Sequence, residues 1–350
     1  MKTITVTASK TYEVKIACGL LQSAGAEIRA VTKAQTAAII TDSNVGPLYE
    51  EVLRNQLQNA GFRTVTFVFP AGESSKNAET YLNILAFLAE NHLTRSDVIV
   101  ALGGGVTGDM AGFAAATYLR GIAFVQVPTS LLAMVDSSVG GKTAIDLPQG
   151  KNLVGAFYQP LLVLCDCDTL KTLPDESFLD GCGEIVKYGV LGDAALLTRL
   201  QKEKTNFDLE AVIARCVEMK RDIVNADEFE GGVRQLLNLG HTLGHAVEQR
   251  SNFTLSHGCC VAIGLAVVTR AAAKEGLCTD ACAEEILRTI DALGLPSKTE
   301  ESIESLMAVM LSDKKRSADT ITCVIPKKIG SCYREKMSIS RLKNFMEAGL

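Results

Sequence analysis

The stretch "DVIVALGGGVTGDMAGFAA", residues 97–115, decides the fold. An apolar run, Asp97–Leu102, leads into consecutive glycines and then into residues with helical spacing. Gly103, Gly105 and Gly108 satisfy G-x-G-x-x-G, a pattern that places the amides of a helix N-terminus close to a phosphate. A lone match is weak, and a purely structural turn is the alternative. The strand–turn–helix order favours a phosphate-binding turn.

Similar apolar strands surround this unit in the first half of the chain. Amphipathic runs such as Lys76–Glu90 separate them. Strands that alternate with helices predict a parallel sheet covered on both faces. The other predicted strands are Thr36–Thr41, Thr64–Phe69 and Ile122–Val127.

After Asp166 helical periodicity replaces this alternation, and only "DTITCVIP" near residues 319–326 again resembles a strand. The helical runs begin near residues 176, 209, 233 and 260. We therefore expect an α/β Rossmann-like nucleotide-binding domain at residues 1–160 and a mostly α-helical domain at residues 161–350.

Composition excludes several classes of protein. The net charge is −5 and the basic clusters are short, which argues against a nucleic-acid partner. The longest apolar stretches are far shorter than the ~20 residues of a membrane span. "MKTITVTASK" at the N-terminus predicts a strand rather than a signal peptide. Eleven cysteines without C-x-x-C spacing indicate reduced thiols and a cytoplasmic protein.

The glycine turn lacks the acid that a standard dinucleotide fingerprint has about 20 residues further on. Asp42 and Glu73 instead follow earlier predicted strands, at the sheet edge where open α/β sheets bind ligands. Either carboxylate suits ribose hydroxyls, and a helix cap or a solvated acid is the alternative for each. A second polar region contains Asp136, Lys142, Lys151 and Asn152, which we interpret as a ligand-binding wall.

Three of the four histidines fall between residues 241 and 257. His241 and His245, in "LNLGHTLGHAVEQR", share one face of a predicted helix. Thr242 follows His241, so the H-E-x-x-H metalloprotease pattern fails. His241 and His257 suit a metal together with Glu184 of "DGCGEIVKYG", which leaves His245 as an acid or base. The alternative is a buried, hydrogen-bonded histidine pair and a surface histidine.

Together these motifs resemble the 3-dehydroquinate synthase family. The matching stretches are "GGGVTGDMAGFAAATYLRG", "VPTSLLAMVDSSVGGKTAID", "GKNLVGAF", "GEIVKYG", "NLGHTLGHAVE" and "HG" at 257–258. They follow the family order over nearly the whole chain. The resemblance implies a dehydroquinate synthase-like fold with an NAD-binding N-terminal domain and a metal-binding C-terminal domain.

The resemblance also implies functional residues. The implied ligands of Zn²⁺, or of Co²⁺, are Glu184, His241 and His257. The implied NAD-binding residues are Asp42, Glu73, Lys76, Gly104, Gly105, Asp109, Thr129, Ser130, Lys142 and Lys151. The implied substrate-binding and catalytic residues are Arg120, Asp136, Lys142, Asn152, Lys187, Lys220, Arg234, Asn238, His245 and Lys314. Arg120 is expected to reach the active site of a neighbouring subunit, which makes a homodimer functional.

The implied reaction converts 3-deoxy-D-arabino-heptulosonate 7-phosphate to 3-dehydroquinate and phosphate, in the shikimate pathway. It combines transient oxidation by NAD, β-elimination, reduction and an intramolecular aldol step. The alternatives are another sugar-phosphate cyclase, a metal-dependent polyol dehydrogenase of similar architecture, or an NAD-binding regulatory protein with an inactive site. A dehydrogenase would accumulate NADH, whereas a dehydroquinate synthase regenerates NAD in each turnover.

Overall fold

A computed structural model describes residues 1–312 and 320–350. The described strands are β1 Lys2–Thr7, β2 Thr11–Ala17, β3 Thr36–Asp42, β4 Arg63–Phe69, β5 Val98–Gly103, β6 Ala123–Pro128, β7 Lys142–Leu147, β8 Gly150–Phe157, β9 Leu162–Asp166, β10 Thr320–Lys328 and β11 Ser331–Ser338. The described helices are α1 Ala24–Val31, α2 Gly46–Asn59, α3 Ala78–Glu90, α4 Gly105–Thr117, α5 Asp175–Gly192, α6 Ala194–Glu203, α7 Leu209–Ala226, α8 His241–Arg250, α9 His257–Lys274, α10 Asp280–Ala292, α11 Ile303–Ser312 and α12 Ile339–Gly349.

The described chain forms two compact units. The first contains Met1–Leu173 and Leu209–Phe229, and the second contains Pro174–Asp208 and Glu230–Leu350. This division differs from the single boundary that we expected after residue 160. Strand β9 lies beyond that boundary but completes the sheet of the first unit, and α7 packs against β1 and β2 of the same unit.

The first unit is built on a seven-stranded sheet in the order β1-β2-β9-β6-β5-β3-β4. All neighbouring strands are parallel except β1 and β2, which form an antiparallel pair. Val98 and Val100 of β5 face one apolar cluster, and Ile99 and Ala101 face another on the opposite side. A sheet buried on both faces explains the continuous apolar run in the sequence, and the predicted α/β architecture is confirmed.

The second unit is mostly helical, as expected, and α9 lies at its centre. This helix packs against α5, α8, α10 and α12. By length and composition α9 is apolar enough to cross a membrane, but 72% of it is buried within the protein. It is therefore a core helix of this unit.

Several parts of the fold differ from the sequence prediction, among them β2 and β9, which were not predicted. The hairpin of β7 and β8 was not predicted, nor was β11, which pairs with β10. The helical run expected across residues 233–249 is broken. A 3₁₀ helix ends at Asn238, and α8 begins only after Gly240, whose φ of 80° no ordinary helical residue adopts.

Candidate active-site residues in the two units

Close packing shapes the glycine turn between β5 and α4. A Cβ atom on Gly103 would lie 2.4 Å from Oγ1 of Thr107, and one on Gly108 would lie 2.6 Å from Oε1 of Gln126. A side chain at Gly103 would therefore collide with Thr107, whereas one at Gly108 would have to displace the end of the Gln126 side chain. Neither glycine has a positive φ. The first amides of α4 have no partner within the helix, which is the arrangement that favours an anionic ligand.

Asp42 ends β3, as the sequence predicted, and its carboxylate organises the adjoining loop. Its Oδ1 accepts hydrogen bonds from the amides of Asn44 at 2.9 Å and Val45 at 3.0 Å. Its Oδ2 accepts one from Oγ1 of Thr107 at 3.3 Å. Asp42 does not cap α2, whose N-cap is Val45; it closes the turn after β3 and links β3 to the start of α4.

Lys76 is buried and joins two other predicted residues. Its Nζ lies 2.5 Å from Oδ2 of Asp109 and 2.5 Å from Oδ1 of Asn152. Burial alone would lower the pKa of Lys76, but the carboxylates of Asp109 and Glu73 outweigh it and raise the pKa. The lysine is therefore a fixed cation at neutral pH. Beside it, Glu73 pairs with Lys151 at 3.1 Å.

A second buried lysine of the first unit pairs with a predicted substrate residue. Nζ of Lys220 lies 3.0 Å from Oδ1 of Asp136 and donates to the Asp136 carbonyl oxygen at 2.6 Å. Asp136 lies in the π-helical turn Ala133–Ser137, and Lys220 comes from α7. This pair explains why α7 belongs to the first unit although it follows two helices of the second.

The remaining predicted residues of the first unit lie at the ends of its strands and helices. Thr129 follows β6 and donates its amide to the carbonyl oxygen of Gly103 at 3.0 Å. Ser130 Oγ accepts a hydrogen bond from the amide of Ala133, and Lys142 begins β7. Arg120 lies on an exposed turn after α4 and has a φ of 67°.

Glycines at helix crossings bring the predicted metal ligands of the second unit together. A Cβ atom on Gly258, at the start of α9, would lie 1.8 Å from the carbonyl oxygen of Asp180 in α5. A Cβ atom on Gly264 would lie 1.9 Å from the carbonyl oxygen of Gly240, which precedes α8. Side chains at these positions would force the helices apart. Glu184 of α5, His241 of α8 and His257 of α9 consequently meet.

The geometry of this cluster fits a tetrahedral metal ion. Oε1 of Glu184 lies 3.3 Å from Nε2 of His241 and 3.3 Å from Nε2 of His257. Zinc bonds to such atoms are about 2.0–2.1 Å long, so ligand atoms in a tetrahedral site are about 3.3–3.4 Å apart. The other ring nitrogens are held: Nδ1 of His241 lies 3.1 Å from the Leu239 carbonyl oxygen, and Nδ1 of His257 lies 3.4 Å from Oε2 of Glu248.

The electrostatics of the cluster also favour a cation. Burial would raise the pKa of Glu184, but the nearby ammonium of Lys187 and the His241 ring hold that pKa well below its usual range. Burial would lower the pKa of His257, yet Glu184 and Glu248 raise it to about 10. Two carboxylates thus stabilise positive charge on the imidazole, and the same field attracts a metal ion.

His245 is a third imidazole at this site. Its ring centroid lies 5.3 Å from that of His241 and 5.6 Å from that of His257, and the three rings are close enough to share one metal ion. The residue is exposed to solvent. The protein packed around it and the two neighbouring imidazoles lower its pKa to about 3. His245 is thus neutral at physiological pH.

The predicted residues Arg234 and Asn238 lie on the 3₁₀ helix that precedes α8. Arg234 is buried, and Nδ2 of Asn238 donates to Oε1 of Glu230 at 2.9 Å. Sequence reasoning missed Glu230, which lies outside every recognised motif, and Glu248, which ends the matching stretch "NLGHTLGHAVE" but was given no role. Lys314 lies outside the described residues.

Comparison with known proteins agrees with this architecture. A 2-deoxy-scyllo-inosose synthase, solved with carbaglucose-6-phosphate, NAD⁺ and Co²⁺, superposes with a TM-score of 0.90 at 24% identity, and the match covers 100% of both chains. A 2-epi-5-epi-valiolone synthase from Streptomyces hygroscopicus subsp. jinggangensis 5008, solved with NAD⁺ and Zn²⁺, gives a TM-score of 0.88 at 26% identity over 99% of this chain and 97% of that chain. The fold is therefore that of the sugar-phosphate cyclases.

Sequence comparison identifies the family within this class. Residues 66–180 match the family described as 3-dehydroquinate synthase N-terminal, and residues 181–316 match 3-dehydroquinate synthase C-terminal. The chain is 43% identical over 343 residues to the 3-dehydroquinate synthase of Streptococcus suis. The alignment covers 96% of this chain and 97% of that protein. The chain belongs to the 3-dehydroquinate synthase family, and it is accordingly an enzyme of the lyase class. The predicted resemblance is confirmed.

Proposed function

We propose that the chain converts 3-deoxy-D-arabino-heptulosonate 7-phosphate to 3-dehydroquinate and phosphate, with NAD and a divalent metal ion as cofactors. The observation that carries this proposal is the carboxylate of Glu184, equidistant at 3.3 Å from Nε2 of His241 and of His257. It provides a metal site in a chain that matches the 3-dehydroquinate synthase family along most of its length.

Glu184, His241 and His257 would hold Zn²⁺ or Co²⁺. His245 lies beside these ligands and is exposed, and we assign it to the substrate side of the site rather than to the metal ion. The proposed NAD site is the glycine turn together with Asp42, Glu73, Lys76, Asp109, Thr129, Ser130, Lys142 and Lys151. When bound, NAD supplies a reversible hydride acceptor, and the metal ion supplies a Lewis acid for substrate hydroxyl groups.

The other proposed residues bind the substrate and move protons. Cationic side chains suit its phosphate and carboxylate, and arginine can hold a carboxylate with two parallel hydrogen bonds. Lys187 and Lys220 are paired with Glu184 and Asp136 in the structure, so each is already fixed in position. The full proposed set is Arg120, Asp136, Lys142, Asn152, Lys187, Lys220, Arg234, Asn238, His245 and Lys314.

We infer that the enzyme acts as a homodimer in which Arg120 serves the active site of the partner subunit. The exposed turn that carries Arg120 supports this proposal, since a side chain at the surface can reach a second copy. We also place the enzyme in the cytoplasm, which agrees with eleven cysteines that form no disulfide.

A substrate panel tests the proposal. The protein loaded with NAD and Zn²⁺ is incubated with the heptulosonate phosphate, with glucose 6-phosphate, and with a seven-carbon ketose phosphate that lacks the carboxylate. NMR should detect a carbocyclic product and free phosphate from the first compound alone. Cyclisation of either carboxylate-free sugar instead would reassign the chain to the sister cyclases.

A further inference from the structure

An irregular hairpin lies beside the buried Lys76. Strands β7 and β8 pair in register from Lys142 with Phe157 to Ile145 with Val154, and the register shifts before the pair Leu147 with Gly150. Asp146 is the residue at this shift. A bulge of this kind turns a side chain or a backbone group away from the regular ladder, and bulges are common beside functional sites.

The backbone and the side chain of Asp146 bind two different neighbours. Its amide donates to the carbonyl oxygen of Lys76 at 2.7 Å. Its Oδ1 accepts a hydrogen bond from the amide of Asn152 at 2.7 Å. Asp146 therefore ties the start of the hairpin turn both to its own far end and to the segment that carries Lys76.

Asn152 needs this support because its backbone is left-handed, with a φ of 56°. That conformation is unfavourable for a residue with a side chain, although asparagine tolerates it better than most residues. In it, the amide of Asn152 points to Asp146 while its side-chain Oδ1 meets Nζ of Lys76 at 2.5 Å. Asp146, Asn152 and Lys76 thus form a closed ring of three contacts.

This ring determines which end of the Asn152 carboxamide is available to a ligand. An ammonium group only donates hydrogen bonds, so the carboxamide must turn its oxygen towards Lys76. The Nδ2 group, with its two N–H donors, then faces away from Lys76. Asn152 accordingly offers donors to an oxygen-rich ligand, such as a carboxylate or a hydroxyl group.

We propose that Asp146 is a positioning residue that fixes Asn152 on Lys76 and so presents the Asn152 amide group to the substrate. The inference rests on the proposed function for the roles of Lys76 in the cofactor site and of Asn152 in the substrate site. Because Lys76 also contacts Asp109, the same ring connects the residues assigned to the two ligands.

Two substitutions separate this role from a simple effect of charge. Asp146→Asn keeps an oxygen that can accept from the Asn152 amide, whereas Asp146→Ala removes it. We expect Asp146→Ala to raise KM for the heptulosonate phosphate at least about 10-fold, the effect of losing one well-placed hydrogen bond. Asp146→Asn should stay within about 3-fold of the wild type, and NAD affinity should change less than about 3-fold in both variants. Gln149→Ala, at an exposed position in the same turn, is the matched control.

Hydrogen exchange of the hairpin, measured without substrate, tests the same contact independently. Peptides spanning residues 147–157 should exchange faster in Asp146→Ala than in the wild type, Asp146→Asn or Gln149→Ala. If the wild type fails to convert the heptulosonate phosphate but exchange follows this order, the proposed function fails and the positioning role stands. Unchanged exchange in Asp146→Ala, or equal impairment of both Asp146 variants, would overturn the inference.

Discussion

Oε1 of Glu184 lies 3.3 Å from Nε2 of His257, although the two residues belong to different helices that meet at the glycine crossing. If this pair holds a metal ion, Glu184→Ala should lose the ion and turnover together. Zinc measured after dialysis should fall from about one ion per chain to below about 0.1, because a site with one ligand missing binds at least about 100-fold more weakly. Glu176→Ala, an exposed glutamate of α5, is the control. Full activity in a metal-free Glu184 variant would refute the assignment.

Glu248 should tune the metal site without binding the ion. Its Oε2 lies 3.4 Å from Nδ1 of His257 and holds the ring so that Nε2 faces Glu184. Partners of this kind typically contribute 10–100-fold to metal affinity, so we expect Glu248→Ala to weaken zinc binding by about that factor. Competition with a chelating dye measures the change. Gln249→Ala, exposed on the same helix, should bind zinc as the wild type does, and equal affinities in all three proteins would exclude the role.

Acid should weaken the first unit through Asp97. This buried carboxylate accepts hydrogen bonds from the amides of Thr36 and Thr94 and from the Thr94 hydroxyl. Burial would raise its pKa, but these hydrogen bonds outweigh that effect and lower the pKa below 3.8. The contribution to stability is therefore complete above the unfolded-state pKa and is lost as the pH falls through the lower folded-state value.

Asp97→Asn should therefore lower the free energy of unfolding by about 1–3 kcal/mol at pH 7, the usual contribution of hydrogen bonds to a charged group. The difference from the wild type should shrink below about pH 4. Urea unfolding at a series of pH values measures it. Asp291→Asn, an exposed control on α10, should change stability by less than about 0.5 kcal/mol. A difference that does not depend on pH would show that the carboxylate charge is not responsible.

The proposed homodimer can be tested with two inactive variants. A mixed dimer of Arg120→Ala and His245→Ala subunits contains one complete active site if Arg120 acts on the partner subunit. After purification through two different affinity tags, it should recover about half of the wild-type activity. If Arg120 serves its own subunit, neither site is complete and the mixed dimer stays inactive.

The α/β unit was predictable because its central strands are buried on both faces and therefore form continuous apolar runs. Val98 and Ile99 lie on opposite faces of the sheet, and both are fully buried. The β7–β8 hairpin escaped prediction because most of β8 is exposed and glycine interrupts it. The break before α8 escaped because the helical spacing continues across Gly240, whose conformation is set by its contact with α9.

The candidate site was partly predictable because some of its residues lie in local sequence patterns. His241, His257 and Glu184 occur in recognisable local patterns, so the sequence identified them and the structure brings them together. Asp146 and Glu248 act through contacts with Asn152 and His257 that depend on a bulge and on a helix crossing. Neither feature has a sequence pattern of its own, and only the folded chain reveals these partners.

The central claim is that oxidation and reduction cancel within each turnover. The most direct measurement supplies NAD at about one molecule per active site, together with Zn²⁺ and excess heptulosonate phosphate, and records phosphate release and NADH absorbance together. We predict phosphate release far beyond the amount of NAD, without accumulation of NADH. Release of one NADH per NAD followed by arrest would contradict the account and would indicate a dehydrogenase.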